Sequence, residues 1–324
     1  MKILRTIFFH ALLGFALTAG AQGYPTHAIT MIVPFSAGGP TDTIARIVSE
    51  RMTRALGQTV VVENITGAGG SIAVGRVARA APDGYTLGIG HVGTHVINSA
   101  VYQLTYDVLK DLEPVAMIAT NPQIVISKSG VPAKNLKELV AWVKANQERV
   151  SIATGGAGTP SHVSAVYFQK VTGTPQPQII HYRGAAPAMQ DLIAGHVDLE
   201  FDQAANSLPQ VRAGKIRAYA VTSKTRLLAA PEIPTVDEAG LPRFYMAVWH
   251  GIWVPNKTPK AIVTRLNASI VEALADPAVR ERLATLGQEI PLREQQTPEA
   301  LGAHHREEVD KWWPVIKAAG IKAE

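Results

Sequence analysis

Ile29-Thr30-Met31-Ile32-Val33-Pro34-Phe35-Ser36-Ala37-Gly38-Gly39-Pro40-Thr41-Asp42 runs from a short apolar strand into a glycine turn and straight on into a helix. Ile44, Ile47, Val48, Met52 and Leu56 follow at spacings of three and four, so one stripe of that helix is apolar, while Arg46, Glu50, Arg51 and Arg54 can face water. The first amide groups of such a helix have no intrahelical partner. With the positive end of the helix dipole they favour a carboxylate or phosphate, and Gly38 and Gly39 let an anion approach the main chain without a Cβ in its way. The plainer reading of the segment is an ordinary strand-to-helix turn capped by Asp42.

The same grammar recurs along the chain. Thr154-Gly155-Gly156-Ala157-Gly158-Thr159-Pro160-Ser161-His162 forms a second glycine cradle, again after a strand and before a helix. Two cradles in different halves are what a ligand clamped between two lobes at their strand ends requires. Ser161 can cap its helix and still offer a hydroxyl. A helix start disfavours imidazolium, so His162 is expected as a neutral hydrogen-bonding group. Tyr182-Arg183-Gly184 makes a third strand-to-helix junction, where Arg183 can either fork onto a distal carboxylate or stay solvated. Asp202 ends a further strand, and three roles fit it: touching a ligand amine, ordering a bridging water, or capping the helix of Asn206.

The strand-like runs are Ile29 to Pro34, Val60 to Glu63, Tyr85 to Ile89, Val115 to Ile118, Ile124 to Ser127, Val150 to Ala153, Ile179 to Tyr182, Val197 to Phe201 and Ile216 to Val221. They alternate with helical patterns at Thr41 to Leu56, Ser71 to Ala80, Leu136 to Asn146, His162 to Val171, Ala185 to Ala194 and Asn206 to Ala213. This order predicts an α/β fold with parallel sheets and loops gathered at the strand ends. After Val248 to Val254 only helices remain, at Pro259 to Ala275, Ala278 to Leu286 and Pro298 to Ala319. A helical tail without strands must return to a sheet already built. The first domain is therefore expected to be discontinuous, residues 22–123 plus 249–324, with 124–248 as the second and crossings near Pro122 to Val125 and Ala247 to Gly251.

Lys2 and Arg5, the apolar stretch Ile7 to Leu17 and Ala19-Gly20-Ala21 read as a secretory signal peptide over 1–21, cleaved after Ala21. Its loss takes the net charge from +5 to +3. The chain has no cysteine, which excludes disulfides, thiol catalysis and thiolate metal sites. Positive charge is scattered and aromatic residues make up 6% of the chain, which disfavours a nucleic-acid surface.

Other motifs carry less. Gly88-Ile89-Gly90-His91-Val92-Gly93 fits the dinucleotide pattern, but two of its glycines fall in or at the end of a strand and no adequate helix is expected after it. Gly90, His91, Gly93 and Thr94 read better as a loop at the mouth of the first sheet. His91 and His95 have metal-pair spacing, without a glutamate between them or a convincing helix beneath them. His304 and His305 are expected at the surface. No Gly-x-Ser-x-Gly elbow and no phosphate loop of the Gly-x4-Gly-Lys-Ser/Thr type occurs.

Pro34 to Asp42, Val62-Glu63-Asn64 with Gly67-Ala68-Gly69-Gly70, Pro82-Asp83-Gly84-Tyr85-Thr86-Leu87, Tyr182-Arg183-Gly184 with Pro187-Ala188 and Asp191-Leu192, and Ala213 to Arg217 stand here in a familiar order. They continue in Pro231 to Gly240, Trp249 with Gly251, and Lys311-Trp312. In that order the chain resembles, almost end to end, the periplasmic solute receptors of tripartite tricarboxylate transporters, often called Bug receptors. The resemblance implies a two-lobed clamshell with two doubly wound sheets joined by two crossing strands. It implies capture of a small mono- or dicarboxylate, delivery to integral membrane permease subunits, a monomer in the periplasm, no cofactor and no chemistry. It also implies a ligand held by the loops of Phe35, Ser36, Ala37, Gly38, Gly39, Thr41 and Asp42 and of Ala157, Gly158, Thr159, Ser161 and His162, to which the second glycine cradle adds Gly156. His91, Thr94, Tyr182, Arg183, Gly184 and Asp202 complete the candidate site. Family members usually carry lysine where this chain has Arg183, and His91 departs from the pattern. The competing readings are a periplasmic hydrolase or isomerase using His162 with Ser161 or Asp202, and a loaded sensor presented to a histidine kinase.

Overall fold

The computed structural model describes residues 23–318 and 320–322; the expected signal peptide lies outside them. Among the described residues nine strands form one mixed sheet, eight of them in the order β2-β1-β3-β9-β4-β7-β5-β6, with β8 off this path and paired to β4. They are β1 (Ile29–Val33), β2 (Val60–Asn64), β3 (Thr86–His91), β4 (Leu112–Lys128), β5 (Ser151–Thr154), β6 (Gln178–His181), β7 (Leu199–Gln203), β8 (Ile216–Val221) and β9 (Ala247–Pro255).

Nearly every expected strand and helix is present, but the sheet is not all parallel. β1 pairs in parallel with β2 and β3, and β5 with β6 and β7; β4 and β9 run antiparallel to all their partners. The two expected runs Val115 to Ile118 and Ile124 to Ser127 are one 17-residue strand, β4. Its residues Leu112 to Pro122 pair with β9, and Gln123 onward pairs with β7, with β8 joining from Ile124. Asn121 and Pro122, which break the hydrophobic pattern, fall where the partner changes, a position at which a proline is tolerated. The chain comes back at Met246, whose N–H donates to Thr222 O (3.1 Å) before β9 begins.

Helices cover both faces of each end of this path. They are α1 (Pro40–Leu56), α2 (Ser71–Ala78), α3 (Asn98–Val101), α4 (Leu136–Ala145), α5 (Pro160–Thr172), α6 (Ala185–Ala194), α7 (Ala204–Arg212), α8 (Lys260–Ala275), α9 (Pro277–Thr285) and α10 (Pro298–Ala318). Strand alternation sorts the apolar side chains into separate cores. Met31 and Val33 of β1 pack with Ile44 and Val48 of α1 and Leu266 and Ile270 of α8, whereas Ile32 faces α2 and α10. In the other stretch Val125 joins α4 and α5, and Ile124 and Ile126 join α6 and α7.

Two expectations fail here. Gly93 and Thr94 do not lie in a loop: they open a π-helical turn, Gly93–Ile97, that leads directly into the four-residue α3. His305 is not at the surface: it is 2% exposed, and its Nε2 lies 2.7 Å from His95 O. Its ring stands edge-on to Trp253, on which the His95 ring stacks at 3.7 Å. The apolar face of α10 is wide enough to take the imidazole in, which residue type alone does not reveal.

Candidate ligand-binding site

Four helix N-termini point at one cleft. Pro40 and Thr41 of α1, Pro160 and Ser161 of α5, Ala185 of α6, and Gln203, which caps α7, all line it. Each start follows from local sequence. Gly39 caps α1 and Gly184, at φ 133°, caps α6; neither contributes a side-chain cap. Thr159 caps α5 by accepting from His162 N (3.4 Å). The first main-chain bond of α1 runs from Thr43 N to Gly39 O (2.9 Å), so the amides of Thr41 and Asp42 precede the helical ladder. Converging amides and dipoles of this kind form an anion site.

The glycine-loop amides themselves are largely committed. Gly38 N donates to Asp42 Oδ2 (2.8 Å), Gly155 N to Ser161 Oγ (2.9 Å) and Gly158 N to His162 Nδ1 (3.1 Å). These bonds stiffen the cradles and leave the helix starts as the donors for a guest.

The cleft is also lined by Phe35, His91, Gln123, Gly155, Thr159, Phe201 and Asp202, and among the described residues no lysine or arginine lines it. About 30 Å³ of it is reachable by the centre of a water molecule, room for about two waters. Phe35 stacks on His91 at 5.0 Å and 12° between planes, and His91 stands edge-on to His250. Gly93 N donates to His91 Nδ1 (2.9 Å), which fixes the proton of the neutral ring on Nε2. Burial lowers the His91 pKa to about 4, so the ring stays a neutral N–H donor at ordinary pH. Asp202 is pushed up to about 7 by burial, against the donors Asn206, Gln203 N and Ser207.

Of the expected residues, Phe35, Thr41, His91, Thr159, Ser161 and Asp202 meet in this cleft. Others do not reach it with a side chain. Asp42 is turned back on Arg46, Asn64 Nδ2 and Gly38 N; burial opposes its charge, and these partners overcome that and hold its carboxyl below the usual range. Thr94 Oγ1 bonds both the N–H and the carbonyl of His91 and so serves to position that ring. His162 packs edge-on to His181, and burial followed by that neighbour lowers it to about 4, in line with its expected neutrality. Tyr182 OH donates to Asp191 Oδ2 (2.6 Å).

Tyr182 and Arg183 line a wider vestibule of about 410 Å³ with Gly67 to Gly70, Tyr102, Gly156 and Ala157, and it shares Phe35 and Gly155 with the cleft. The sequence reading missed Gln123, Phe201 and Gln203. Gln123 carried the one available signal, a polar residue inside an apolar run.

Across the cleft the walls touch. Tyr102 OH donates to Ala157 O (2.9 Å) and Ser36 N to Arg183 O (3.4 Å). These bonds link loops from opposite ends of the sheet path.

The family model of the tripartite tricarboxylate transporter family receptor matches residues 44–321. The chain belongs to that receptor family. Its members are periplasmic solute-binding proteins, not enzymes. Among solved structures, this receptor is similar to the periplasmic binding protein BugD at 40% identity, with 93% of this chain and 100% of that one covered and a TM-score of 0.89. It is similar to MatC from Rhodopseudomonas palustris with bound malate at 38% identity, 90% and 100% coverage and a TM-score of 0.87. A further R. palustris protein, solved with adipate, matches at 32% identity, 93% and 100% coverage and a TM-score of 0.88. The receptor therefore has the α/β fold of the periplasmic binding proteins.

Proposed function

We propose that the chain captures a small carboxylate between two lobes, 22–123 plus 249–324 and 124–248, and delivers it to the integral membrane permease of a tripartite tricarboxylate transporter, acting as a monomer after export. The observation that carries this reading is the meeting of four helix N-termini on a cleft without a cationic side chain. Such a site stabilises a negative charge with dipoles and hydroxyls, and ordered waters can adapt it to different chain lengths. Malate bound to one relative and adipate present with another are both small carboxylates. The narrow cleft implies that its walls part for entry, with the changeover at Pro122 to Val125 and the return at Ala247 to Gly251 as hinges in a two-sheet clamshell.

A thermal-shift screen of aliphatic, aromatic and amino-acid carboxylates tests the reading. A true ligand at a hundred times its dissociation constant stabilises the fold by about 2.7 kcal/mol. Stabilisation by carboxylates, lost in Gly39→Val, is expected; no response to any carboxylate overturns the proposal.

A further inference from the structure

The wall of the cleft built by β7 is rich in acceptors and has no cation beside it. Asp202 is 3% exposed, and its Oδ2 accepts from Asn206 Nδ2 (2.6 Å) and Ser207 Oγ (3.2 Å), both neutral donors. Gln203, also in the lining, is 8% exposed, and its Oε1 meets no donor. Glu200 lies two residues before Asp202 on the same strand face, is fully buried, and has neither carboxylate oxygen partnered. Burial raises its pKa well above the usual value, with the charge of Asp202 adding to the shift.

The lining from the other stretch of the sheet path offers donors: the start of α1, Thr41 and the N–H of His91. A ligand whose only polar groups are ionised carboxylates answers the donors alone. It would leave Gln203 Oε1 bare and set a second negative charge toward Asp202, and both cost free energy in a buried site.

We infer that the ligand is a carboxylate that also carries an N–H or O–H donor, as an amino or hydroxy carboxylate does, and that Asp202 with Gln203 selects for that donor. The inference rests on the small-carboxylate reading above. It makes Asp202 a specificity-determining residue in addition to a cap on α7.

Isothermal titration near neutral pH with matched triads tests it: propionate, lactate and alanine; succinate, malate and aspartate; glutarate, 2-hydroxyglutarate and glutamate. In the triad of suitable length the substituted acids are expected to bind at least about tenfold more tightly than the parent, the effect of one hydrogen bond to a charged group. Asp202→Asn is expected to erase the advantage of the amino acid and leave most of that of the hydroxy acid, whose hydroxyl can still donate to the amide oxygen. Gln203→Leu, which leaves the bonds of Asp202 to Asn206 and Ser207 in place, provides a second variant and is expected to reduce the advantage of both. A parent acid that binds as tightly as its substituted partners overturns the inference. So does a variant that weakens all three members equally, since a purely structural role lowers affinity without changing the ratio. If no member of any triad binds, the carboxylate reading fails first and this inference with it.

Discussion

Gly69 is held at φ 59° on the rim of the vestibule, and a Cβ there would run into Ala157 O across the gap and come within 3.0 Å of Asn98 Oδ1. Gly184, at φ 133°, is closed in the same way by Ser36. These glycines allow the two loops to lie against each other. Gly69→Ala is expected to cost about 1–2 kcal/mol of stability from its left-handed backbone, and to weaken ligand binding by at least about tenfold, because the loops can no longer meet. Chemical denaturation and calorimetric titration of the same preparation separate the two effects; affinity equal to wild type would show that the rim does not close on the guest. Gly39 is different, with φ −77° and its nearest cross-gap neighbour, Ala186 N, 3.8 Å from an added Cβ. Gly39→Val replaces a buried N-cap with a poor one and is expected to cost about 1 kcal/mol of stability while blocking the anion, with the same two measurements as the check. Glycine cradles are legible in sequence because only a few residue types can make such turns. Side-chain direction is not legible: Asp42 and Asp202 both stand beside helix starts, yet one is spent on Arg46 and Asn64 and the other faces the cleft.

Glu308 ties α10 to β9. It is 9% exposed and accepts from Trp249 Nε1 (3.2 Å), Trp312 Nε1 (3.0 Å) and Lys311 Nζ (2.7 Å), so its carboxylate, despite the opposing effect of burial, is held below its usual pKa. Glu308→Ala leaves the buried indole of Trp249 without an acceptor and should cost about 3 kcal/mol, the upper part of the range for hydrogen bonds to a charged group. Urea denaturation followed by tryptophan fluorescence measures it; a loss below about 1 kcal/mol would mean that apolar packing alone secures the helix. Elements were the most legible level. Apolar periodicity marks β1, β8 and α6 almost to the residue, and α10 is announced by Pro298. The pattern fails for β4, because Asn121 and Pro122 interrupt an apolar run at the point where the strand changes partner and both partners still hold it extended. It also fails for the π-helical turn Gly93–Ile97, whose hydrogen-bond period matches neither of the two common repeats.

At the scale of the whole molecule, buried titratable groups set how stability responds to pH. Burial lowers His91, His162 and His305 from 6.5 to about 4, and also lowers His95, His250 and His304 below 6.5. Between those values the unfolded chain binds more protons, so stability rises with pH up to about 6.5 and is lost as pH falls. Asp202, raised to about 7, and Glu200, raised well above its ordinary value, act oppositely: their contribution is present in acid and lost as pH rises through their folded values. Six histidines outweigh two acids below about pH 6.5, and above it only the acids titrate in this range. Ligand-free protein is therefore expected to be most stable near pH 6.5, with Asp202→Asn flattening the decline above it. Unfolding free energies that climb steadily to about pH 8 would contradict this assignment.

Closure of the cleft can be tested apart from the ligand contacts. Tyr102 OH donates to Ala157 O from outside the narrow cleft, so its bond holds the walls together without lining the site proposed for the carboxylate. In an open state that hydroxyl returns to water, and its loss then costs little. Tyr102→Phe should therefore leave the denaturation midpoint of ligand-free protein near that of wild type, provided the free protein rests open, and weaken binding by about 2- to 12-fold, the equivalent of one net hydrogen bond of 0.5–1.5 kcal/mol. Calorimetric titration supplies the affinity and small-angle scattering of free and loaded protein the shape. If the variant binds as wild type does while scattering shows the loaded form compacting, closure draws its free energy from the guest and the helix starts alone. A weakened variant that still compacts when saturated would show instead that the seam contributes to affinity by stabilising the shut form.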